Sequence, residues 1–227
     1  MTTSPSKGTG RPDQYKSKEG ARLPSVTTIL GRFKDSGPLM HWAFSQGKAA
    51  ERGEINRLYD KRDEAAEIGT LAHEMAEAHI HGIDPAKLLA SYDNLGEDAI
   101  AQARQAFDMF ARWCEIVKVQ WLHTEVPLIS ERLGVGGTVD AVALVGGKLS
   151  IVDFKTSKGI YADYWVQCAA YADFWEEATG EQIEEVHILR FGKHKPEFEH
   201  QFRQGYANEK RAFDLMVDLY TTMKAIK

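Results

Sequence analysis

Cysteine is scarce in this chain of 227 residues: there are two, Cys114 and Cys168, both inside segments of helical periodicity. Two thiols cannot form a disulfide framework or supply four ligands to an iron–sulfur cluster, so a reducing, cytoplasmic setting without such a cluster is expected. No apolar run approaches the length of a membrane span, and the N-terminus carries no hydrophobic signal region. Net positive charge is missing too. The balance of −5 argues against binding nucleic acid through bulk charge, although a mean leaves room for a local basic surface. Internal repeats and long linkers are also absent, and the 43% hydrophobic and 27% charged content suits one soluble core.

What is present is concentrated between Gly137 and Tyr171. Val139 to Val145 is a run of small and β-branched residues that suits a strand, Gly146-Gly147 marks a tight turn, and Leu149 to Phe154 reads as a second strand. Strands joined so closely pair antiparallel, which brings Asp140, near the start of the first, to Asp153, near the end of the second. Lys155 stands beside them. Two carboxylates facing one point repel unless a cation compensates. A divalent ion held by hard oxygen ligands, with a lysine near, suits attack of water on a phosphodiester. An Asp-x-Lys on its own is more often a solvated strand end.

The company of the motif decides otherwise. Gly69-Thr-Leu-Ala-His73, Gly137-Thr-Val-Asp140, Asp153-Phe-Lys155 and Gln167-Cys-Ala-Ala-Tyr171 follow one another in that order. In this the chain resembles the PD-(D/E)XK nuclease superfamily and, within it, the RecB-like exonuclease group. The resemblance covers roughly residues 23–205. It implies an α/β fold: a restriction-endonuclease-like core, with a small mixed β-sheet flanked by helices and an N-terminal helical lobe. It also implies a metal-dependent DNA exonuclease leaving 5′-phosphate and 3′-hydroxyl ends. Asp140, Asp153, His73 and the Phe154 carbonyl would hold magnesium or manganese, Lys155 would serve the nucleophilic water, and Gln167 and Tyr171 would position groups around it. Val139 stands where the superfamily's name has proline.

Two other readings fail on spacing. His73-Glu74 begins like a zinc-protease motif, but position 77 is Glu, so the second histidine of that helical face is missing. Gly134-Val-Gly136-Gly137 continues as a strand, whereas a dinucleotide fingerprint must open a helix. An endonuclease on the same fold, and a non-catalytic nucleic-acid-binding protein retaining it, remain as alternatives.

Along the rest of the chain, residues 1–22 read as a flexible arm in which Lys7, Arg11, Lys16, Lys18 and Arg22 outnumber Asp13 and Glu19. A single domain is expected over 23–227, divided into a helical lobe (23–118) and a catalytic sheet core (119–227). Ser25 is placed as an N-cap. By resemblance, Ser25 and Thr27 are candidate phosphate contacts, and Lys158 and Arg190 are candidate contacts to a DNA backbone. Helices are expected over 39–47, 63–80, 96–117, 162–178 and 207–225, and strands over 120–130, 185–191 and 198–202. Glu125, on the first of these strands, is a candidate accessory acid. The partner implied is DNA with a free end, single- or double-stranded, together with a recombination or single-strand-binding protein. A role in recombination, repair or end processing, in a phage setting, follows from the resemblance alone.

Overall fold

The computed structural model describes residues 12, 14–34, 44, 48, 51, 52, 60–92, 95–192 and 196–226. The helix expected over 39–47 lies, apart from Phe44, outside the described residues. A two-residue strand β1 (Tyr15–Lys16) pairs with β2 (Arg22–Leu23), and helix α1 (Val26–Phe33) follows. Helix α2 (Asp60–Ile80), a short 3-10 helix (Pro85–Ser91) and helix α3 (Glu97–Val117) precede the sheet. Then come β3 (Gln120–Ser130), β4 (Val135–Val145), β5 (Lys148–Thr156), α4 (Ala162–Thr179), β6 (Glu185–Phe191), β7 (Phe198–Gln204) and α5 (Ala207–Ala225).

The five long strands form one mixed sheet in chain order. All neighbours are antiparallel except β5 and β6, which are parallel. A parallel pair needs a crossover, and α4 supplies it. Gly146 and Gly147 turn β4 into β5 with φ of 59° and 87°, the left-handed pair that a two-residue hairpin turn demands.

Each face of the sheet has its own core. On one, Val26 and Ile29 of α1, Trp165, Phe174 and Trp175 of α4, and Phe213 and Val217 of α5 pack over Val139, Val142 and Ile151. On the other, Leu71 and Met75 of α2 and Ala103, Ala106 and Phe110 of α3 cover Ala141, Val152, Phe154 and Phe191. The restriction-endonuclease-like arrangement of a mixed sheet between helices is therefore present. Among the described residues no helix is long and apolar enough to cross a membrane.

The arm expected through residue 22 is in fact structured from Tyr15. Its phenol lies 2.8 Å from Thr138 Oγ1, and its ring covers Gly136, where a Cβ would sit 2.3 Å from Cγ. The Gly136 N–H also donates to the Pro24 carbonyl at 3.0 Å. Composition averaged over 22 residues hides one aromatic whose landing surface is formed by a glycine more than a hundred residues away.

Candidate active site

The hydrogen-bonded register of β4 and β5 runs from Val145↔Lys148 to Ala141↔Val152 and stops there. The next pair would set Asp140 opposite Asp153. Instead, Asp140 Oδ2 accepts the Phe154 N–H at 2.9 Å, a carboxylate standing where a strand carbonyl would be. Both acids are buried, Asp153 completely. The Lys155 ammonium pairs with Asp153. Burial pulls the pKa of Lys155 down, but the Asp153 and Asp140 carboxylates more than offset it, and the amine stays charged well above the usual lysine range. Carboxylate oxygens of two buried aspartates beside one ammonium are a hard donor set that suits a divalent cation.

The neighbouring strand is deformed at the same level. Val126 pairs with Val139 and Thr124 with Ala141, so Glu125 stands opposite Asp140. Val139 and Val142 are three residues apart yet join the same core, and in β3 so do Val126 and His123, whose ring packs 5.4 Å from that of Trp175. Strict alternation would separate them, so both strands change face here. Glu125 has a φ of +47°, a conformation a glutamate adopts at a cost. Its side chain is half-buried.

Two helices close on this point, each through a glycine. A Cβ on Gly69 of α2 would lie 2.8 Å from Cβ of Thr156, and one on Gly137 of β4 would lie 2.5 Å from Cε1 of Tyr171. The first glycine lets α2 reach the end of β5. The second lets the Tyr171 ring lie against β4 three residues before Asp140. Gln167 donates to the Tyr171 hydroxyl at 2.9 Å. Burial, with the Asp153 and Asp140 carboxylates nearby, holds that phenol protonated well above its usual range, so its own hydrogen remains available to donate. The sequence-predicted Asp140, Asp153, Lys155, Gln167 and Tyr171 thus come together.

His73 is placed differently. Its ring lies 5.1 Å from that of Phe154, and its Nε2 is 3.2 Å from Glu77 Oε1. Among the described residues no three His, Cys, Asp or Glu side chains are assembled into a metal cage. The imidazole stands over Phe154, the residue between Asp153 and Lys155.

The expected DNA contacts divide. Lys158 is exposed after β5, and Thr27 is exposed on α1. Ser25 is the N-cap of α1, its hydroxyl accepting the Thr28 N–H at 3.0 Å. Arg190 is not available for a backbone contact. It is buried, donating to Glu199 at 2.7 Å, Glu197 at 3.2 Å and the Ser157 carbonyl at 2.9 Å. β6 is covered on both faces, so an arginine in it must find internal partners. Sequence reasoning missed Tyr15, and it missed Tyr164, whose ring lies 5.2 Å under the Lys155 ammonium. The spacing 164, 167, 171 already puts Tyr164 on the helical face of Gln167 and Tyr171.

A family model described as the PD-(D/E)XK nuclease superfamily matches residues 14–227. No curated protein sequence matches. Among solved structures, a candidate exonuclease from Eubacterium rectale aligns with a TM-score of 0.49 at 14% identity over 69% of this chain. This chain spans 65% of the length of that protein. The structure of SSO0001 aligns with a TM-score of 0.31 at 13% identity, over 66% of this chain and 84% of that one.

Proposed function

Because this chain belongs to the PD-(D/E)XK nuclease superfamily, we propose that it is a divalent-metal-dependent deoxyribonuclease of the RecB-like group, acting as an exonuclease on DNA with a free end. The observation that carries the reading is the end of the β4–β5 ladder, where Asp140 and Asp153 are buried and Lys155 pairs with Asp153. Asp140, Asp153 and the Phe154 carbonyl would hold magnesium or manganese, with His73, which packs against Phe154, as a further ligand. Such an ion supplies charge neutralisation at the phosphoryl oxygens and a more acidic water.

The chain's own residues do the rest. Asp153 holds the Lys155 ammonium in place, and that fixed positive charge favours a water turning into hydroxide and the charge developing on phosphorus-bound oxygen. Tyr171, kept protonated by burial and oriented by Gln167, offers a fixed O–H donor in the same space. Asp140 is held in place by the Phe154 N–H across the end of the β4–β5 ladder. We infer 5′-phosphate and 3′-hydroxyl ends from the family resemblance.

The test is a gel assay of end-labelled linear DNA against closed circular DNA, with magnesium or manganese and with EDTA. Linear DNA is expected to shorten from its ends while circles persist, EDTA to stop turnover and manganese to restore it. Lys155→Ala and Asp153→Ala should lose about 10²–10⁴-fold in rate. Cut circles would make the protein an endonuclease. Full activity in either variant, or binding without cleavage by the wild type, would remove the catalytic reading.

A further inference from the structure

The N-cap of α4 breaks a local rule. An N-cap is normally Ser, Thr, Asp or Asn, whose oxygen takes up a free helical N–H. Here it is Tyr161, which makes no side-chain cap hydrogen bond and leaves a large aromatic ring 50% exposed. Residues that break a local rule without local gain are expected where function requires them.

Its surroundings indicate that requirement. The ring of Tyr161 meets that of Tyr164 edge-on, with centroids 5.5 Å apart at 81°. Tyr164 in turn lies 5.2 Å beneath the Lys155 ammonium. A continuous path of side chains therefore runs from the lysine of the site to a solvent-facing aromatic. Cations stand along it. Lys34 Nζ is 5.9 Å over the Tyr164 ring and 2.8 Å from Asp163, with 61% of its side chain exposed, and Lys158 is exposed on the turn between β5 and α4. In a chain whose net charge is −5, aromatics interleaved with lysines at the site's mouth form the pattern that holds unpaired nucleotides. Rings stack on bases while ammonium groups meet phosphates. A paired duplex keeps its bases stacked on each other and would leave the ring unused.

We propose that Tyr161, braced by Tyr164, is a stacking platform for an unpaired nucleobase next to the scissile phosphate, with Lys34 and Lys158 meeting the adjoining phosphates. This rests on the nuclease reading above and narrows it: the site acts on a single strand, or on a strand end that has been unpaired.

The experiment compares a ten-residue single-stranded oligonucleotide with a counterpart made entirely of abasic residues. Wild type, Tyr161→Ala and Tyr161→Phe are assayed for cleavage with manganese. Binding is read separately by fluorescence anisotropy with EDTA in place of manganese, so a protein that cuts nothing still tests the platform. Tyr161→Ala should weaken KM and Kd for the base-bearing strand about tenfold with kcat little changed, and Tyr161→Phe, which keeps the ring, should recover the loss. On the abasic strand the three proteins should bind alike. Affinity of Tyr161→Ala within twofold of wild type on the base-bearing strand, or an equal loss on both strands, would overturn the proposal. Absence of wild-type cleavage with the binding difference intact would instead sink only the nuclease reading.

Discussion

Adding one methyl group at Gly137 reports on how the site is assembled. A Cβ there falls 2.5 Å from Cε1 of Tyr171 and 3.1 Å from Cγ2 of Val26, whereas carbon contacts normally begin near ~3.5 Å. The Tyr171 ring must retreat by about 1 Å. It is buried in the core below α4, so its retreat displaces neighbours, at about 1–3 kcal/mol for an overpacked site. For a chain of this size that lowers Tm by about 2–4 °C per kcal/mol. The same movement takes the phenol away from Gln167 and the carboxylates, and about 1 Å of misplacement costs roughly 10²-fold in rate. Thermal unfolding followed by circular dichroism, and single-turnover cleavage of labelled DNA, measure the two effects on Gly137→Ala. Adding Tyr171→Leu should return stability by vacating the space and leave the rate low. Gly31→Ala is the control, since a Cβ there meets nothing within 4 Å on helix α1. It should gain about 0.5–1 kcal/mol through helix propensity alone. A Gly137→Ala protein with the wild-type Tm and rate would refute the packing argument.

Three further outcomes are expected. Lys155→Ala leaves two buried carboxylates without their ammonium, at about 3–5 kcal/mol in EDTA, and manganese should raise its Tm more than that of wild type; equal Tm values in EDTA would contradict the pairing. Arg190→Gln should cost about 1–3 kcal/mol, because Glu197 and Glu199 can still reach water, while the salt dependence of DNA affinity stays as in wild type; a shallower salt slope would return Arg190 to the DNA surface. His187 sits with Nδ1 2.9 Å from His200 Nε2 and Nε2 3.1 Å from Glu185 Oε2, and burial lowers its pKa from 6.5 to about 4. The folded state therefore favours the neutral ring. Stability from this residue is complete above pH 6.5 and declines as pH falls toward 4, by about 3 kcal/mol. Denaturant titrations from pH 7 to 4 measure the decline, and His187→Phe should flatten it; an unchanged slope would assign the acid sensitivity elsewhere.

The candidate site was legible in the sequence wherever chemistry and chain proximity coincide. Asp140 and Asp153 lie on strands joined by Gly146-Gly147, and a two-residue turn leaves one register, so their meeting follows from local geometry. Gln167 and Tyr171 share a face because four residues make about one helical turn. Arg190 was misread because its pattern describes a cation on a strand, whereas its partners, Glu197, Glu199 and the Ser157 carbonyl, are supplied by a different strand and a turn. Tyr15 was overlooked because its contact, Gly136, is remote in the chain.

By itself the sequence determined the order of the elements, the hairpin that pairs two carboxylates, and the lysine beside them, since each follows from periodicity or a short turn. Only the tertiary structure decided that the ladder ends at Ala141, that α2 and α4 approach through Gly69 and Gly137, and that His73 rests over Phe154 while Tyr161 faces solvent. Such outcomes depend on which atoms fill the space left by distant residues, and excluded volume between remote segments has no period in the sequence from which it can be read.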